Sequence, residues 1–304
     1  MCGDDRYSGK NFDHRKTWVV ERLRFLATIF CIDVCAYAVM SNHLHLILRL
    51  MTERAQQLSA QQVAARYCQV FPGGKLQLQA LPETEQGALI EVWRERLCNI
   101  SWMMRALNEW VARRANQEDG CTGRFWEGRC KSKALLDDRG LLTCMAYVDL
   151  NPYRAGMTDS LEASDFTSIQ ARLQDRASQV NAGGQGQNKS TLAIVGLSPL
   201  ADDKGTRHSD RLPIDFAAYL ELLCWTAAAQ RASGDKKRSK PPALLERFGL
   251  CADAWVRSMR QHQLETCTAL GSLDALDTEA KRRGKAWLRG KGMSRYLTAA
   301  QSPV

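Results

Sequence analysis

A His-Leu-His triplet, His43, Leu44 and His45, is the first group of residues whose types and spacing suggest chemistry. The segment HLHLILR over 43–49 alternates in polarity as a β-strand does, so both imidazoles should point to one face and the leucines to the other. Two imidazoles on one strand face can share a metal ion. Two exposed histidines without a ligand would give the same pattern, so the triplet alone leaves both interpretations open.

Tyr147 and Asn151 form a second group, because residues four apart share one face of a helix. A tyrosine hydroxyl can attack as a nucleophile and form a covalent intermediate, and an amide oxygen can bind a hard metal ion. Asp149 should face elsewhere, about 200° round the helix from Tyr147, and Pro152 should kink the chain. Taken alone, Tyr147 is more readily interpreted as a packing residue.

A basic segment, RFWEGRCKSKA over 124–134, is predicted to be a strand in which cations accompany two aromatic rings. Lysine and arginine can bind phosphates while an aromatic ring stacks on an unpaired base. The alternative is an ordinary strand with a solvated basic edge. The formal net charge of +9 suits a polyanionic partner.

The elements that must position these residues follow from apolar periodicity. A helix is predicted over 13–30 with Asp13 as its N-cap, followed by a hairpin of strands 34–40 and 43–49 around Ser41 and Asn42, in which asparagine tolerates a left-handed turn. Further helices are predicted over most of 57–118, from a cap at Asp137 or Asp138 to a stop near Gly156, and over 165–173 and 216–228.

Composition limits the remaining possibilities. No apolar stretch is long enough to span a membrane, and the polar N-terminus does not resemble a signal peptide, so a cytoplasmic protein is expected. The eleven cysteines contain no CxxC pair and fit no zinc-binding spacing, so we interpret them as small core residues. The change to Gly, Gln, Asn, Ser and Asp after residue 175 predicts a flexible linker over 176–212.

Three motifs in this order resemble those of the REP-associated tyrosine transposases, which belong to the insertion-sequence-200-like, single-tyrosine HUH superfamily. The motifs are AYAVMSNHLHLILR at 36–49, GRFWEGRCKSKALL at 123–136 and MAYVDLNPYRAG at 145–156. The resemblance covers roughly residues 2–175 and implies a transposase domain over 1–175 with an α+β, ferredoxin-like sandwich around an antiparallel central sheet. A basic, helical C-terminal extension would occupy 213–304.

The resemblance implies that Tyr147 attacks DNA while His43, His45 and Asn151 bind Mg²⁺ or Mn²⁺. Histidine ligands suit Mn²⁺ at least as well as Mg²⁺. Single-stranded DNA would be cut and rejoined at palindromic hairpins through a 5′-phosphotyrosine link, by a monomer or homodimer that needs no small-molecule cofactor and has no membrane partner. The candidate DNA contacts are Arg49, Arg124, Trp126, Arg129, Lys131, Lys133 and Arg154.

The sequence also departs from the family. The family's first strand would precede Cys2, so the sheet is expected to lack its N-terminal strand and to have an unpaired edge. This departure favours an alternative function, a DNA-binding protein that is truncated or inactive in cleavage. A two-histidine phosphoesterase fits less well, because those enzymes need two His-x-Ser/Thr motifs. In the C-terminal region, a cluster of cations is predicted to grip DNA phosphates: Lys281, Arg282, Arg283, Lys285 and Arg289.

Overall fold

The structure is a computed structural model, and it describes residues 1–4, 9–181, 196–201, 211–231, 239–260 and 262–299. The chain divides into two compact units, each assembled from two stretches of sequence. Unit 1 comprises Met1–Cys130 and Asp165–Ser198, and unit 2 comprises Lys131–Ser164 and Pro199–Val304. This grouping differs from the consecutive regions 1–175, 176–212 and 213–304 expected from the sequence.

The protein is a mixed α and β protein in which helices predominate, and each sheet of the described residues has two strands. The strands are β1 Ile32–Val39, β2 Leu44–Leu50, β3 Ala134–Leu135, β4 Leu200–Ala201, β5 Leu212–Asp215 and β6 Ala269–Leu270. The helices are α1 His14–Ile29, α2 Thr52–Gln57, α3 Ala60–Val70, α4 Gly73–Gln79, α5 Glu83–Leu97, α6 Ile100–Asp119, α7 Asp138–Asp149, α8 Asn151–Arg154, α9 Ser168–Asn181, α10 Phe216–Arg231, α11 Ala243–Arg247, α12 Ala252–Arg260, α13 Leu273–Arg282 and α14 Lys291–Thr298. A 3-10 helix, η1, spans His262–Thr266.

Unit 1 packs its helices around the β1–β2 hairpin, and this arrangement confirms the predicted first helix and the helical segment over 57–118. The buried face of α1 contributes Val19, Leu23 and Leu26 to a core that also contains the fully buried Trp93. Asp13 does not cap α1 with its side chain, because its carboxylate instead pairs with Lys16 Nζ at 2.8 Å.

The predicted hairpin is confirmed. β1 and β2 are antiparallel, and Met40 N–H donates to the carbonyl of His43 at 2.9 Å, which closes the turn around Ser41 and Asn42. Among the described residues, Phe166 is the one non-glycine residue with positive φ. Asn42 therefore does not adopt the left-handed conformation expected of it.

The second edge of β1 is covered rather than unpaired. Val34 N–H donates to the carbonyl of Gly196, Ser198 N–H donates back to the carbonyl of Val34, and Val39 N–H donates to the carbonyl of Phe166. Two short segments distant in sequence thus satisfy backbone groups of β1 at this edge, so the unpaired edge expected of the sheet does not lie here. In the described residues, β2 pairs with β1 and with no other strand.

The predicted strand over 124–134 is wrong, because residues 121–133 contain no regular element and β3 begins at Ala134. Phe125 and Trp126 are consecutive, yet both pack against the core of unit 1. A strand would send them to opposite faces.

Unit 2 contains α7, which begins where the sequence predicted. The carboxylate of Asp137 accepts hydrogen bonds from Gly140 N–H at 2.9 Å and from Ser272 N–H at 2.6 Å, so one residue caps α7 and holds the segment before α13. A side chain at Gly140 would place its Cβ 2.5 Å from the carbonyl oxygen of Leu270. Glycine is therefore required for α7 to approach β6 this closely.

The C-terminal residues are helical, as expected, and they share unit 2 with the stretch that carries Tyr147. Most of the predicted linker, residues 182–195 and 202–210, lies outside the described residues. Of its described part, Leu200–Ala201 forms β4 and pairs with β5 in parallel. Among the described residues, no helix is both long and apolar enough to cross a membrane.

Candidate functional site

The two histidines of the triplet lie on the same face at the start of β2, as predicted. Their Nε2 atoms are 3.0 Å apart, and their rings are close to perpendicular at 88°. Leu44, Leu46 and Leu48 pack against the core of unit 1, which fixes the opposite face of the strand. The alternation read from HLHLILR therefore sets the position of both imidazoles.

Asn42 orients the first histidine. Its Oδ1 atom lies 2.6 Å from His43 Nδ1, a distance at which the amide oxygen accepts a proton carried by Nδ1. An imidazole with its proton on Nδ1 carries a lone pair on Nε2, the atom of His43 that lies 3.0 Å from His45 Nε2. The hairpin turn thus supplies the outer-shell partner that commonly accompanies a metal-binding histidine.

The distance between the two Nε2 atoms suits a shared metal ion. Two nitrogens that each lie about 2.1 Å from one ion, at about 90° to one another, are separated by about 3.0 Å. The separation in the structure is 3.0 Å. In the described part of the chain, no group of three or more His, Cys, Asp or Glu side chains is arranged to hold a metal.

Tyr147 lies in unit 2, on the last turns of α7, and is buried. Its hydroxyl donates to Glu265 Oε1 at 2.5 Å, and the guanidinium carbon of Arg154 lies 3.8 Å from the centre of its ring. Burial raises the pKa of Tyr147 to about 12, and the hydrogen bond to the Glu265 carboxylate acts in the same direction while Arg154 opposes both. The phenol is therefore neutral near pH 7.

Asn151 begins α8 and is buried, and the helix is interrupted between Asp149 and Asn151, as Pro152 predicted. Asp149 faces elsewhere, as expected, because its carboxylate accepts a hydrogen bond from the Tyr219 hydroxyl at 2.7 Å. The helical stop at Gly156 is also confirmed, since α8 ends at Arg154 and Gly156 has φ 66°.

The predicted DNA contacts in unit 1 differ in how accessible they are. Arg129 is exposed, and Arg124 is exposed with its Nε donating to the carbonyl of Trp126 at 2.9 Å. The Trp126 indole donates to the carbonyl of Asn108, which holds the ring partly against the core. Arg49 is paired with Asp33 at 3.0 Å. Of these four residues, the two exposed arginines are best placed to meet phosphates.

The predicted contacts in unit 2 are divided in the same way. Lys131 is exposed, whereas Lys133 donates to the carbonyl of Leu264. Arg154 covers the Tyr147 ring and donates to the carbonyl of Met259 at 3.3 Å. Lys133 and Arg154 therefore make contacts within unit 2 that contribute to its packing.

The C-terminal cations are all exposed, over the end of α13 and the segment that follows it. Glu279 accepts hydrogen bonds from Arg282 and Arg283, which lowers the pKa of Glu279 to about 2. Trp287 lies within the same basic segment and is 59% exposed.

Sequence reasoning missed two residues of interest, Glu265 and Trp287. Glu265 lies 118 positions from Tyr147 along the chain, so no local pattern links them. Trp287 had a signal in the sequence, because an aromatic residue inside KRRGKAWLR matches the basic and aromatic composition of segments that bind nucleic acids. Comparisons with protein-family models, with curated proteins and with solved structures found no significant match to this chain.

Proposed function

We propose that this protein is a metal-dependent tyrosine transposase that nicks and rejoins single-stranded DNA at palindromic hairpins. The observation that carries the proposal is the pair of imidazoles at the start of β2, one just before it and one within it, whose Nε2 atoms are 3.0 Å apart and whose first ring is oriented by Asn42. Such a pair is suited to a shared divalent cation. The resemblance of the three motifs to tyrosine transposases adds a nucleophile, Tyr147.

The residues of the chain have distinct roles in this proposal. His43 and His45 would hold Mg²⁺ or Mn²⁺, and the resemblance alone implies Asn151 as a third ligand. When bound, the ion would neutralise negative charge on the scissile phosphate. The Tyr147 oxygen attacks phosphorus, a 3′-hydroxyl leaves, and a 5′-phosphotyrosine link retains the bond energy until a second 3′-hydroxyl rejoins the DNA.

The finer fold assignment belongs to the same proposal. A ferredoxin-like sandwich packs helices on one face of an antiparallel sheet, and both α1 and α9 contact β1 in unit 1. The segments at Phe166–Ser168 and Gly196–Ser198 run beside β1 at its second edge. The contacts of α1 and α9 with β1 are the ones that support a ferredoxin-like sandwich in unit 1.

A second candidate function is binding without cleavage. The observation that favours it is the burial of the Tyr147 side chain, which raises the pKa of its hydroxyl to about 12 and restricts access to it. A protein in this state would occupy hairpins, with exposed cations on their phosphates, and would leave the strand intact. The two candidates share the same DNA partner and differ in whether a covalent link forms.

A covalent-adduct assay separates them. Labelled single-stranded hairpins from palindromic repeats near the gene are mixed with the protein and Mn²⁺ or Mg²⁺, and a denaturant-resistant protein–DNA band is sought on a gel. Transposase activity predicts a band that disappears with chelator and in Tyr147→Phe but persists in Tyr153→Phe, a matched phenol whose hydroxyl bonds to the Ala227 carbonyl. Hairpin binding without any band would establish the binding-only function.

A further inference from the structure

The proton of the Tyr147 hydroxyl has a defined acceptor in unit 2. Glu265 Oε1 lies 2.5 Å from the hydroxyl oxygen, within the range of a strong hydrogen bond to a carboxylate. Glu265 belongs to η1, between α12 and β6, and is an exposed residue. One carboxylate oxygen therefore meets a buried tyrosine while the residue itself remains in contact with solvent.

We propose that Glu265 is the general base that takes the proton from Tyr147 during attack and the general acid that returns it during rejoining. This inference rests on the proposed transposase function and adds a catalytic residue to it. A general base must lie within hydrogen-bond distance, at most about 3.2 Å, of the atom that carries the proton. Glu265 meets this condition without rearrangement.

The step balances in both directions. In cleavage, the bond from Tyr147 Oη to phosphorus forms, the bond from phosphorus to the 3′ oxygen breaks, and the Tyr147 proton passes to Glu265. The departing 3′ oxygen takes a proton from water. In rejoining, a 3′-hydroxyl attacks phosphorus and loses its proton to water, the bond from phosphorus to Oη breaks, and Glu265 returns its proton to Oη.

The surroundings of the phenol explain why a base is needed. Burial and the neighbouring carboxylate keep the Tyr147 hydroxyl protonated until well above pH 7, so attack near neutral pH must be accompanied by removal of a proton. Arg154 lies over the ring at 3.8 Å, where its charge favours the phenolate that begins to form.

The test compares Glu265→Gln with a matched control, Glu246→Gln, an exposed glutamate of α11 in the same unit. Glutamine keeps the size and an oxygen that accepts a hydrogen bond, but it cannot take the proton. We expect Glu265→Gln to slow adduct formation by about 100-fold, with unchanged hairpin affinity and an unchanged rate in the control. A Glu265→Gln rate within threefold of the wild-type rate, or above it, would overturn the proposal.

A substrate in which sulfur replaces the bridging 3′ oxygen at the scissile phosphate distinguishes a base that acts on the nucleophile from an acid that acts on the leaving group. A thiolate leaves without a proton, so a residue that only protonates the leaving group becomes dispensable with this substrate. Because Glu265 is proposed to act on the nucleophile, its replacement should slow the sulfur substrate by a similar factor. Full recovery of the Glu265→Gln rate with the sulfur substrate would contradict the proposal.

An independent readout requires no DNA. With ¹³C-labelled tyrosine, the Tyr147 resonance is identified by its loss in Tyr147→Phe, and its titration is followed by NMR. Glu265→Gln should lower the Tyr147 pKa from about 12, because a neighbouring negative charge is removed. An unchanged pKa would refute the contact. If wild-type protein forms no adduct, the transposase function fails as well, whereas a normal Glu265→Gln rate overturns only the role of Glu265.

Discussion

The histidine pair of unit 1 and the tyrosine of unit 2 differ in how far along the chain the residues that position them lie. His43 and His45 are positioned by a single turn and strand, and the residue that orients His43 is its neighbour Asn42. Tyr147 depends on Arg154 and on Glu265, which comes from a 3-10 helix 118 residues later. A pair of neighbouring imidazoles can therefore be assembled locally, whereas the surroundings of a buried phenol are set by long-range packing.

The largest effects are expected when metal binding by the histidine pair and formation of the Tyr147–DNA bond are measured separately. Tyr147→Phe should abolish the adduct and leave Mn²⁺ affinity unchanged, because the phenol is not a metal ligand in this proposal. His45→Ala should weaken Mn²⁺ binding by more than about 100-fold, more than loss of an outer-shell partner usually costs. Calorimetric titration with Mn²⁺ measures both, and His14→Ala, a unit 1 histidine paired with Glu118, is the control. Equal Mn²⁺ affinity in His45→Ala and wild-type protein would rule out the metal site.

A smaller effect is expected when Asn42 is changed, since it acts only through His43. Asn42→Ala should lower Mn²⁺ affinity by about 10–100-fold, because the His43 ring loses the acceptor that orients it. Asn42→Asp keeps an acceptor oxygen and should retain most of the affinity. If Asn42→Ala binds Mn²⁺ as well as Asn42→Asp does, the turn does not orient the ligand.

Hairpin DNA binding should also depend on the basic residues at the end of α13 and in the segment that follows it. Replacing Lys281, Lys285 and Arg289 by glutamine should reduce the salt dependence of hairpin binding by roughly two units of slope, at about 0.7 per lost phosphate contact. Trp287→Ala should lower affinity by about tenfold with the slope unchanged, because stacking on a base involves no counterion release. Fluorescence anisotropy over a salt series measures both. Identical slopes for the triple variant and the wild-type protein would exclude these cations as DNA contacts.

The smallest effects concern backbone packing and again contrast the two units. Gly87 lies on the exposed face of α5 with open space around it, so Gly87→Ala should stabilise unit 1 by about 0.5–1 kcal/mol. Gly140→Ala would bring a methyl group against the Leu270 carbonyl and should destabilise unit 2 by about 1–3 kcal/mol. Hydrogen exchange resolved by segment measures each unit separately. Stabilisation by Gly140→Ala would show that α7 does not approach β6 as described.

Local pattern predicted much of the fold. The periodicity of α1, α6 and α10, the Asp137 cap of α7 and the hairpin around Ser41 and Asn42 were all read correctly, because each depends on residues within a few positions of one another. The predicted strand over 124–134 failed for the opposite reason. Its composition suits a strand, but packing both Phe125 and Trp126 inward against the unit 1 core overrides the alternation that a strand requires.

The sequence by itself determined the histidine pair, since strand alternation places residues i and i+2 on one face whatever lies beyond the hairpin. It also determined that Tyr147 and Asn151 lie on adjoining helical turns and that the chain is strongly basic. Only the tertiary structure decided what surrounds the Tyr147 hydroxyl and how the second edge of β1 is covered. Both depend on contacts between segments more than 100 residues apart, and the pairing of such segments is set by packing and not by local spacing.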